Sequence, residues 1–140
     1  MVVKILMIDD HQMMIDGYKA TLSINKEKYT IETTDVNNCE QAFQVITNPA
    51  NANEFDIVFL DYSLPTFPEQ KLFNGEDIAV LMRKYWPNIK IIMLTAHFDA
   101  IKLFNIVKKI APQGLLVKSD FQSPQLLQAF ETVLNGGTYY

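Results

Sequence analysis

Short apolar runs alternate with longer amphipathic stretches along the chain. The four most apolar runs are Val2–Ile8, Ile57–Leu60, Ile89–Thr95 and Gly114–Val117. They are rich in Val, Ile and Leu without strict alternation, which is typical of strands covered on both faces in a parallel sheet. Tyr29–Val36 has more mixed polarity and is predicted to be a strand nearer the edge of the same sheet.

The stretches between these runs carry apolar residues at helical spacing. In the first of them, Met14, Tyr18 and Leu22 recur every four residues and share one helix face. The same period continues in further segments around residues 42–46, 78–85, 103–110 and 126–134. Repeated strand–helix units predict an α/β fold, a (βα)5 doubly wound five-stranded parallel sheet with right-handed crossovers. In such folds, ligands bind outside the carboxyl ends of the strands.

Composition and charge narrow the class of protein. The 140 residues correspond to one domain, and 49% hydrophobic residues with 20% charged ones exclude a disordered chain. The net charge of −4 and the lack of a Lys/Arg cluster argue against nucleic-acid binding by this chain alone. The single cysteine, Cys39, excludes an internal disulfide and a multi-cysteine zinc site. No signal peptide or membrane-spanning run is present, so we expect a cytoplasmic, soluble domain without membrane contact.

Polar residues stand where four of the predicted strands end. These residues are Asp9, Asp10, Asp61, Thr95 and Lys118. Taken singly, each has an ordinary explanation, such as a helix cap for an aspartate or a solvated strand end for the lysine. Because the carboxyl ends of parallel strands meet at one edge of a sheet, we expect all of them to lie together.

This combination indicates a particular chemistry. Neighbouring carboxylates repel one another unless a cation lies among them, and oxygen ligands of this kind suit Mg²⁺. A lysine and a threonine hydroxyl are suitable partners for phosphate oxygens. A carboxylate nucleophile, a divalent cation, an ammonium and a hydroxyl together favour transfer of a phosphoryl group to an aspartate.

The residues around these positions resemble one known family. The segments that carry the resemblance are Ile5–His11, Val58–Pro65, Met93–Ala96 and Gly114–Lys118. Together they are similar to the receiver domain of bacterial response regulators, the phosphoacceptor module of two-component systems, over essentially the whole of residues 1–140. The resemblance implies a flavodoxin/CheY-like fold and a signalling function in a phosphorelay, with no enzymatic activity beyond the domain's own aspartyl phosphorylation and dephosphorylation.

The resemblance also assigns roles to individual residues. It implies that Asp61 is the phosphoacceptor and that Thr95 and Lys118 contact the phosphoryl group and carry the switch. It places Mg²⁺ on Asp9, Asp10, Asp61 and the backbone carbonyl of Ser63, with Asp9 bound through water. The implied phosphodonor is a sensor histidine kinase or a phosphotransfer protein.

A narrower resemblance concerns the two ends of the chain. Asp10-His11 followed by Gly17, and the ending Val133–Tyr140, are similar to receivers of NarL/LuxR-type regulators. In those proteins the ending leads into a linker and a helix-turn-helix domain. We therefore expect a transcription regulator whose C-terminal DNA-binding domain is missing here, with DNA bound only through that domain. A homodimer is left open.

The chain departs from the family pattern in three places. The loop from Pro65 to Gly75 is longer than usual. Its residues Phe67, Leu72 and Phe73 are expected either to pack back as a local lid or to form a partner surface, and the third alternative is a tolerated surface insertion. Leu115 occupies the position of the usual switch aromatic, and we hypothesise that Thr95 still moves toward the phosphate and that the helix from residue 99 to 110 reports this movement. His97 lies where the family often tunes dephosphorylation, or it is a plain loop histidine.

Three other functions compete with this interpretation. An aspartate-nucleophile Mg²⁺ phosphohydrolase would need a second carboxylate two residues after Asp61, where Ser63 stands. A flavin carrier would need a phosphate-binding loop after the first strand, where Asp9 and Asp10 place negative charge. A degenerate receiver that acts as a phosphate-independent interaction module would normally have lost one of the key residues.

Overall fold

The computed structural model describes residues 1–25, 27–96, 99–118 and 123–140, without the side chain of residue 25. Its strands are β1 (Val2–Ile8), β2 (Thr30–Val36), β3 (Ile57–Asp61), β4 (Lys90–Thr95) and β5 (Gly114–Val117). Its helices are α1 (Gln12–Leu22), α2 (Cys39–Thr47), α3 (Gly75–Tyr85), α4 (Ala100–Ile110) and α5 (Ser123–Leu134). Short 3₁₀ turns lie at Ser23–Asn25, Pro49–Asn51 and Pro68–Gln70.

The described strands form one parallel sheet in the order β2-β1-β3-β4-β5. This order confirms the predicted doubly wound α/β fold, and β2 lies at an edge as its mixed polarity predicted. The connections change direction beside β1, so the crevice outside the carboxyl ends of β1 and β3 is where this topology places a ligand.

The two faces of the sheet bury two apolar clusters. On β1, Val3, Ile5 and Met7 pack with residues of α1 and α5, whereas Leu6 and Ile8 face a cluster that includes residues of α2 and α3. This alternation follows from the pleat of a strand, in which successive side chains point to opposite faces. Side chains two residues apart along a strand lie on the same face of the sheet. Asp9 comes two residues after Met7 and Asp61 two residues after Phe59, so both aspartates lie on the α1 and α5 side of the sheet.

The long loop between β3 and α3 folds back on the protein. The Phe67 N–H donates to the Leu72 carbonyl at 2.7 Å and the Leu72 N–H donates back at 3.2 Å. Leu72 is buried in the core, and the Phe67 ring meets the Phe43 ring of α2 edge-on at 5.8 Å. Phe73 is exposed. Phe67 and Leu72 therefore pack back on the protein, and the role of the loop as a lid stays a prediction.

The C-terminal residues add to the other edge of the sheet. The Tyr139 N–H donates to the Gln113 carbonyl at 2.9 Å, and the Tyr139 carbonyl accepts from the Leu115 N–H at 2.8 Å. The Tyr140 hydroxyl donates to the Pro112 carbonyl at 2.7 Å. Among the residues with described structure, no helix is both long enough and apolar enough to cross a bilayer.

Candidate functional site

The strand register brings the predicted site residues to one edge of the sheet. Asp61 is the last residue of β3 and pairs with Leu94, next to Thr95 at the end of β4. Lys118 follows β5, and its N–H donates to the Thr95 carbonyl at 2.7 Å. Asp9 follows β1, and its N–H donates to the Val36 carbonyl at 3.0 Å. The backbone therefore holds four strand ends side by side before any side-chain contact is considered.

The side chains of Asp9, Asp61 and Lys118 form a buried ionic cluster. The Lys118 ammonium lies 3.2 Å from Asp9 Oδ2 and 3.1 Å from Asp61 Oδ2. Asp9 and Asp61 are 1% and 3% exposed, so water contributes little to solvating either charge. One ammonium thus contacts two buried carboxylates, which leaves the cluster with an excess of negative charge.

Backbone donors orient the two buried carboxylates. The His11 N–H donates to Asp9 Oδ1 at 2.9 Å, and the Ser63 N–H donates to Asp61 Oδ1 at 3.3 Å. The Asn37 side-chain amide donates to the Asp9 carbonyl at 3.0 Å, which ties the β1–α1 turn to the turn before α2. Each of Asp9 and Asp61 therefore has one oxygen held by a backbone amide and the other by Lys118.

The electrostatics of the cluster show how unfavourable the excess charge is. Burial, followed by the charge of Asp9, raises the pKa of Asp61 from 3.8 to about 6, although Lys118 and the Ser63 amide oppose the rise. The ammonium therefore does not fully compensate the desolvation of this carboxylate. A second positive charge at this position would favour the ionised form that a nucleophilic aspartate needs.

The donor set fits a divalent cation with a preference for oxygen. Asp9, Asp10, His11 and Asp61 each offer one ligand atom, and these atoms all lie within 4.8 Å of one another. Three of them are carboxylate oxygens, which suit Mg²⁺ better than an imidazole nitrogen does. The residues present therefore fit Mg²⁺ through Asp9, Asp10 and Asp61, with His11 beside the site.

His11 is a member of this cluster that sequence reasoning did not assign to the site. Its Nδ1 lies 3.0 Å from Asp10 Oδ1 and 3.6 Å from Asp9 Oδ1, and its side chain is largely exposed. The adjacency to two aspartates was the available signal. The contact holds the partly exposed Asp10 carboxylate close to the buried pair.

Gly75 packs directly behind Asp61. Its N–H donates to the Tyr62 carbonyl at 2.6 Å, and a Cβ on this residue would lie 2.2 Å from the Asp61 carbonyl oxygen. That space is too small for any side chain, so glycine is required for the start of α3 to approach the end of β3. The position of Asp61 thus depends on a residue fourteen positions later in the sequence.

The remaining predicted residues lie as follows. Thr95 is fully buried at the end of β4, and Leu115 is buried in the cluster on the α2 and α3 side, where it fills the usual aromatic position with an aliphatic side chain. The Ser63 amide contacts Asp61, while its carbonyl as a metal ligand stays a prediction. His97 lies outside the described residues, so the hypothesis on its role stays a prediction as well.

Comparison with known proteins agrees with this geometry. The sequence profile described as "Response regulator receiver domain" matches residues 5–131. The chain therefore belongs to the receiver domains of two-component response regulators, the class of protein that the parallel sheet and its acidic edge indicated.

Two of the relatives are named as transcriptional regulatory proteins. The chain is 27% identical over 139 residues to the transcriptional regulatory protein DegU of Brevibacillus brevis, covering 98% of this chain and 52% of that protein. It is 28% identical over 135 residues to the transcriptional regulatory protein LnrK of Bacillus subtilis, covering 96% of this chain and 55% of that protein. The chain thus spans about half the length of the curated relatives it matches.

Solved structures share the fold. A LuxR-family two-component response regulator from Aurantimonas sp. matches with a TM-score of 0.78 at 20% identity, covering all 100% of this chain and 90% of that chain. A CheY-like receiver domain protein from Methanospirillum hungatei matches with a TM-score of 0.74 at 20% identity, covering 96% and 95%. The predicted CheY-like architecture is confirmed at the level of the fold.

Proposed function

We propose that Asp61 accepts a phosphoryl group from the phosphohistidine of a sensor histidine kinase or phosphotransfer protein. The observation that carries the proposal is the buried Asp9–Lys118–Asp61 cluster at the carboxyl edge of the sheet, with Lys118 3.1 Å from Asp61 Oδ2. Asp9, Asp10, Asp61 and the Ser63 carbonyl would hold Mg²⁺, which supplies positive charge beside the transferring oxygens.

The chemistry is a substitution at phosphorus. One Asp61 oxygen forms a bond to phosphorus while the P–N bond to the donor imidazole breaks, and the electron pair stays on the nitrogen. The product is an acyl phosphate on Asp61. Lys118, already next to Asp61 Oδ2, is placed to neutralise a phosphoryl oxygen, and the Thr95 hydroxyl is the proposed hydrogen-bond donor to another.

The structure supports a route from this site to α4. Tyr62 follows Asp61 directly, and the Lys102 ammonium of α4 lies 4.4 Å from the centre of the Tyr62 ring. A change in charge at Asp61 therefore acts beside a side chain that contacts α4 by a cation–π interaction. We propose that phosphorylation shifts the position of α4 together with Thr95 and that Leu115 takes no part as an aromatic rotor.

The proposed output is control of transcription. The matched relatives DegU and LnrK are transcriptional regulatory proteins, and this chain spans about half of their length. We propose that DNA is bound by a C-terminal domain outside residues 1–140 and that phosphorylation alters homodimer formation or release of that domain in the cytoplasm. Catalysis by this domain is limited to its own phosphorylation and dephosphorylation.

Intact-mass spectrometry after incubation with acetyl phosphate and Mg²⁺ tests the proposal. We expect a gain of about 80 Da, corresponding to one phosphoryl group, that hydroxylamine removes and that Asp61→Asn lacks. The exposed Glu69, in the loop before α3, provides the matched control Glu69→Gln, which should be phosphorylated like the parent. A folded protein that gains no mass would contradict phosphotransfer to Asp61 and favour a phosphate-independent receiver.

A further inference from the structure

Tyr18, in the middle of α1, carries a buried hydroxyl group that no described contact explains. The residue is 4% exposed, and its hydroxyl has no hydrogen-bond partner among the residues that the structure describes. A buried polar atom without a partner lowers the stability of a fold, and a phenylalanine would fill the same core position without that penalty. We therefore expect the hydroxyl to have a hydrogen-bond partner other than the described residues.

The position of Tyr18 points to the acidic cluster. Its ring packs on Phe59 with the centroids 6.1 Å apart, in the apolar cluster that also contains Met7. The next residues on the same face of these two strands are Asp61 and Asp9. Tyr18 thus lies one layer below the carboxylate pair, on the α1 side of the sheet.

The electrostatics agree with this placement. Burial is the main cause that raises the pKa of the Tyr18 hydroxyl, and the charges of Asp9 and Asp61 raise it further. The hydroxyl therefore keeps its proton at neutral pH. A protonated phenol one layer below two anionic groups can act as a hydrogen-bond donor.

We propose that Tyr18 is a positioning residue of the acidic site, whose hydroxyl donates through a buried water to the Asp9–Asp61 carboxylate pair. A water can bridge groups that lie too far apart for a direct bond, provided that polar partners surround it. The inference rests on the proposed function, in which Lys118 turns toward a phosphoryl oxygen. Asp9 Oδ2 then loses its charged donor, and the Tyr18 hydroxyl keeps the carboxylate in place.

Tyr18→Phe tests the proposal with Mg²⁺ as the probe. Calorimetric titration of the variant should show an affinity for Mg²⁺ about 3- to 10-fold weaker than that of the parent, since outer-sphere partners of ligands often change affinity by 10-fold or more. Thermal unfolding without Mg²⁺ should change little, because the ring still packs on Phe59 and the removed hydroxyl has the buried water as its partner. An unchanged Mg²⁺ affinity would mean that the hydroxyl has only a structural role, and would overturn the proposal.

Tyr29→Phe is the matched control. Tyr29 is also buried in the same apolar cluster, where its ring meets Phe130 edge-on at 5.6 Å. It precedes the amino end of β2, whereas the acidic site lies at the carboxyl ends of the strands. Removal of its hydroxyl should leave the Mg²⁺ affinity at the parent value. A matching loss of affinity in both variants would indicate a general effect of core hydroxyls and would contradict a specific role for Tyr18.

A second measurement decides the matter without a variant of Tyr18 and without Mg²⁺. In protein with isotope-labelled tyrosine, the NMR resonances of Tyr18 should move in Asp61→Asn. Tyr18 resonances that ignore the loss of the Asp61 charge would overturn the proposal. Failure of the parent to bind Mg²⁺ would count against the proposed function instead, which keeps the two failures distinct.

Discussion

Replacement of the buried Asp61 carboxylate by a neutral amide should stabilise the metal-free protein at neutral pH. Burial and the charge of Asp9 raise the Asp61 pKa from 3.8 to about 6, so the folded protein disfavours the ionised form. Each pKa unit corresponds to about 1.4 kcal/mol, which makes about 3 kcal/mol the upper limit of the penalty above pH 6. The pKa of about 6 already includes the ion pair with Lys118. Because an amide does not reproduce every contact of the protonated carboxyl, we expect Asp61→Asn to gain about 1–3 kcal/mol at pH 7.5.

The pH dependence of this gain is the sharper expectation. A carboxyl with a raised pKa in the folded state adds stability that is fully present below pH 3.8 and is lost as the pH rises through about 6. The variant keeps its stability over this range, so the difference between variant and parent should be small at pH 4, grow up to pH 6 and stay constant above it.

Urea unfolding in EDTA at several pH values between 4 and 8 measures the difference directly. Glu69→Gln, which neutralises an exposed carboxylate in the loop before α3, should show no comparable gain. The reasoning would be refuted if Asp61→Asn were less stable than the parent at pH 7.5, or if its gain were the same at pH 4. Addition of Mg²⁺ should then stabilise the parent more than the variant, because the variant lacks one ligand.

Three further changes test other parts of the site. Lys118→Met removes the ammonium between Asp9 and Asp61 and should lower the free energy of unfolding in EDTA by about 2–4 kcal/mol. Mg²⁺ should stabilise this variant more than it stabilises the parent, and equal melting temperatures of the two in EDTA would contradict this role. Gly75→Ala places a Cβ 2.2 Å from the Asp61 carbonyl oxygen. It should lower the free energy of unfolding by about 3 kcal/mol and slow phosphorylation by acetyl phosphate. Urea unfolding like that of the parent would show that α3 can shift freely. Leu72→Ala should cost about 2–4 kcal/mol and make the loop of residues 65–75 sensitive to limited proteolysis, and a loop that resists the protease as before would indicate that Leu72 does not hold it.

The elements of this fold were largely predictable because each strand has a recognisable local sequence pattern. Val2–Ile8 and Gly114–Val117 are observed with the predicted bounds, since runs of branched apolar residues in a doubly wound sheet have few alternatives. The meeting of Asp61 with Lys118 was predictable for the same reason, because parallel strands place their carboxyl ends at one edge.

What escaped prediction depends on tertiary contacts rather than on local pattern. The hydrogen-bonded pairing of Phe67 with Leu72 requires α2 as a surface, and nothing in the loop itself specifies that neighbour. The contact of His11 with Asp10 depends on how the β1–α1 turn closes. Tyr18 was predicted as an apolar helix position, which its ring confirms, but the layer reached by its hydroxyl depends on how α1 lies on the sheet.

Because Tyr139 is hydrogen-bonded beside β5, the two outer strands of the sheet differ in how readily they can pair with a strand of another molecule. Along β5, the chain's own C-terminal segment occupies backbone groups that a foreign strand would need. Along β2, no described strand pairs with the outer border, and the exposed Glu32 supplies a charge of the kind that discourages intermolecular pairing. Loss of the Tyr139 contacts should therefore open the β5 border to intermolecular pairing, so that aggregation rather than loss of phosphorylation becomes the first sign of their loss.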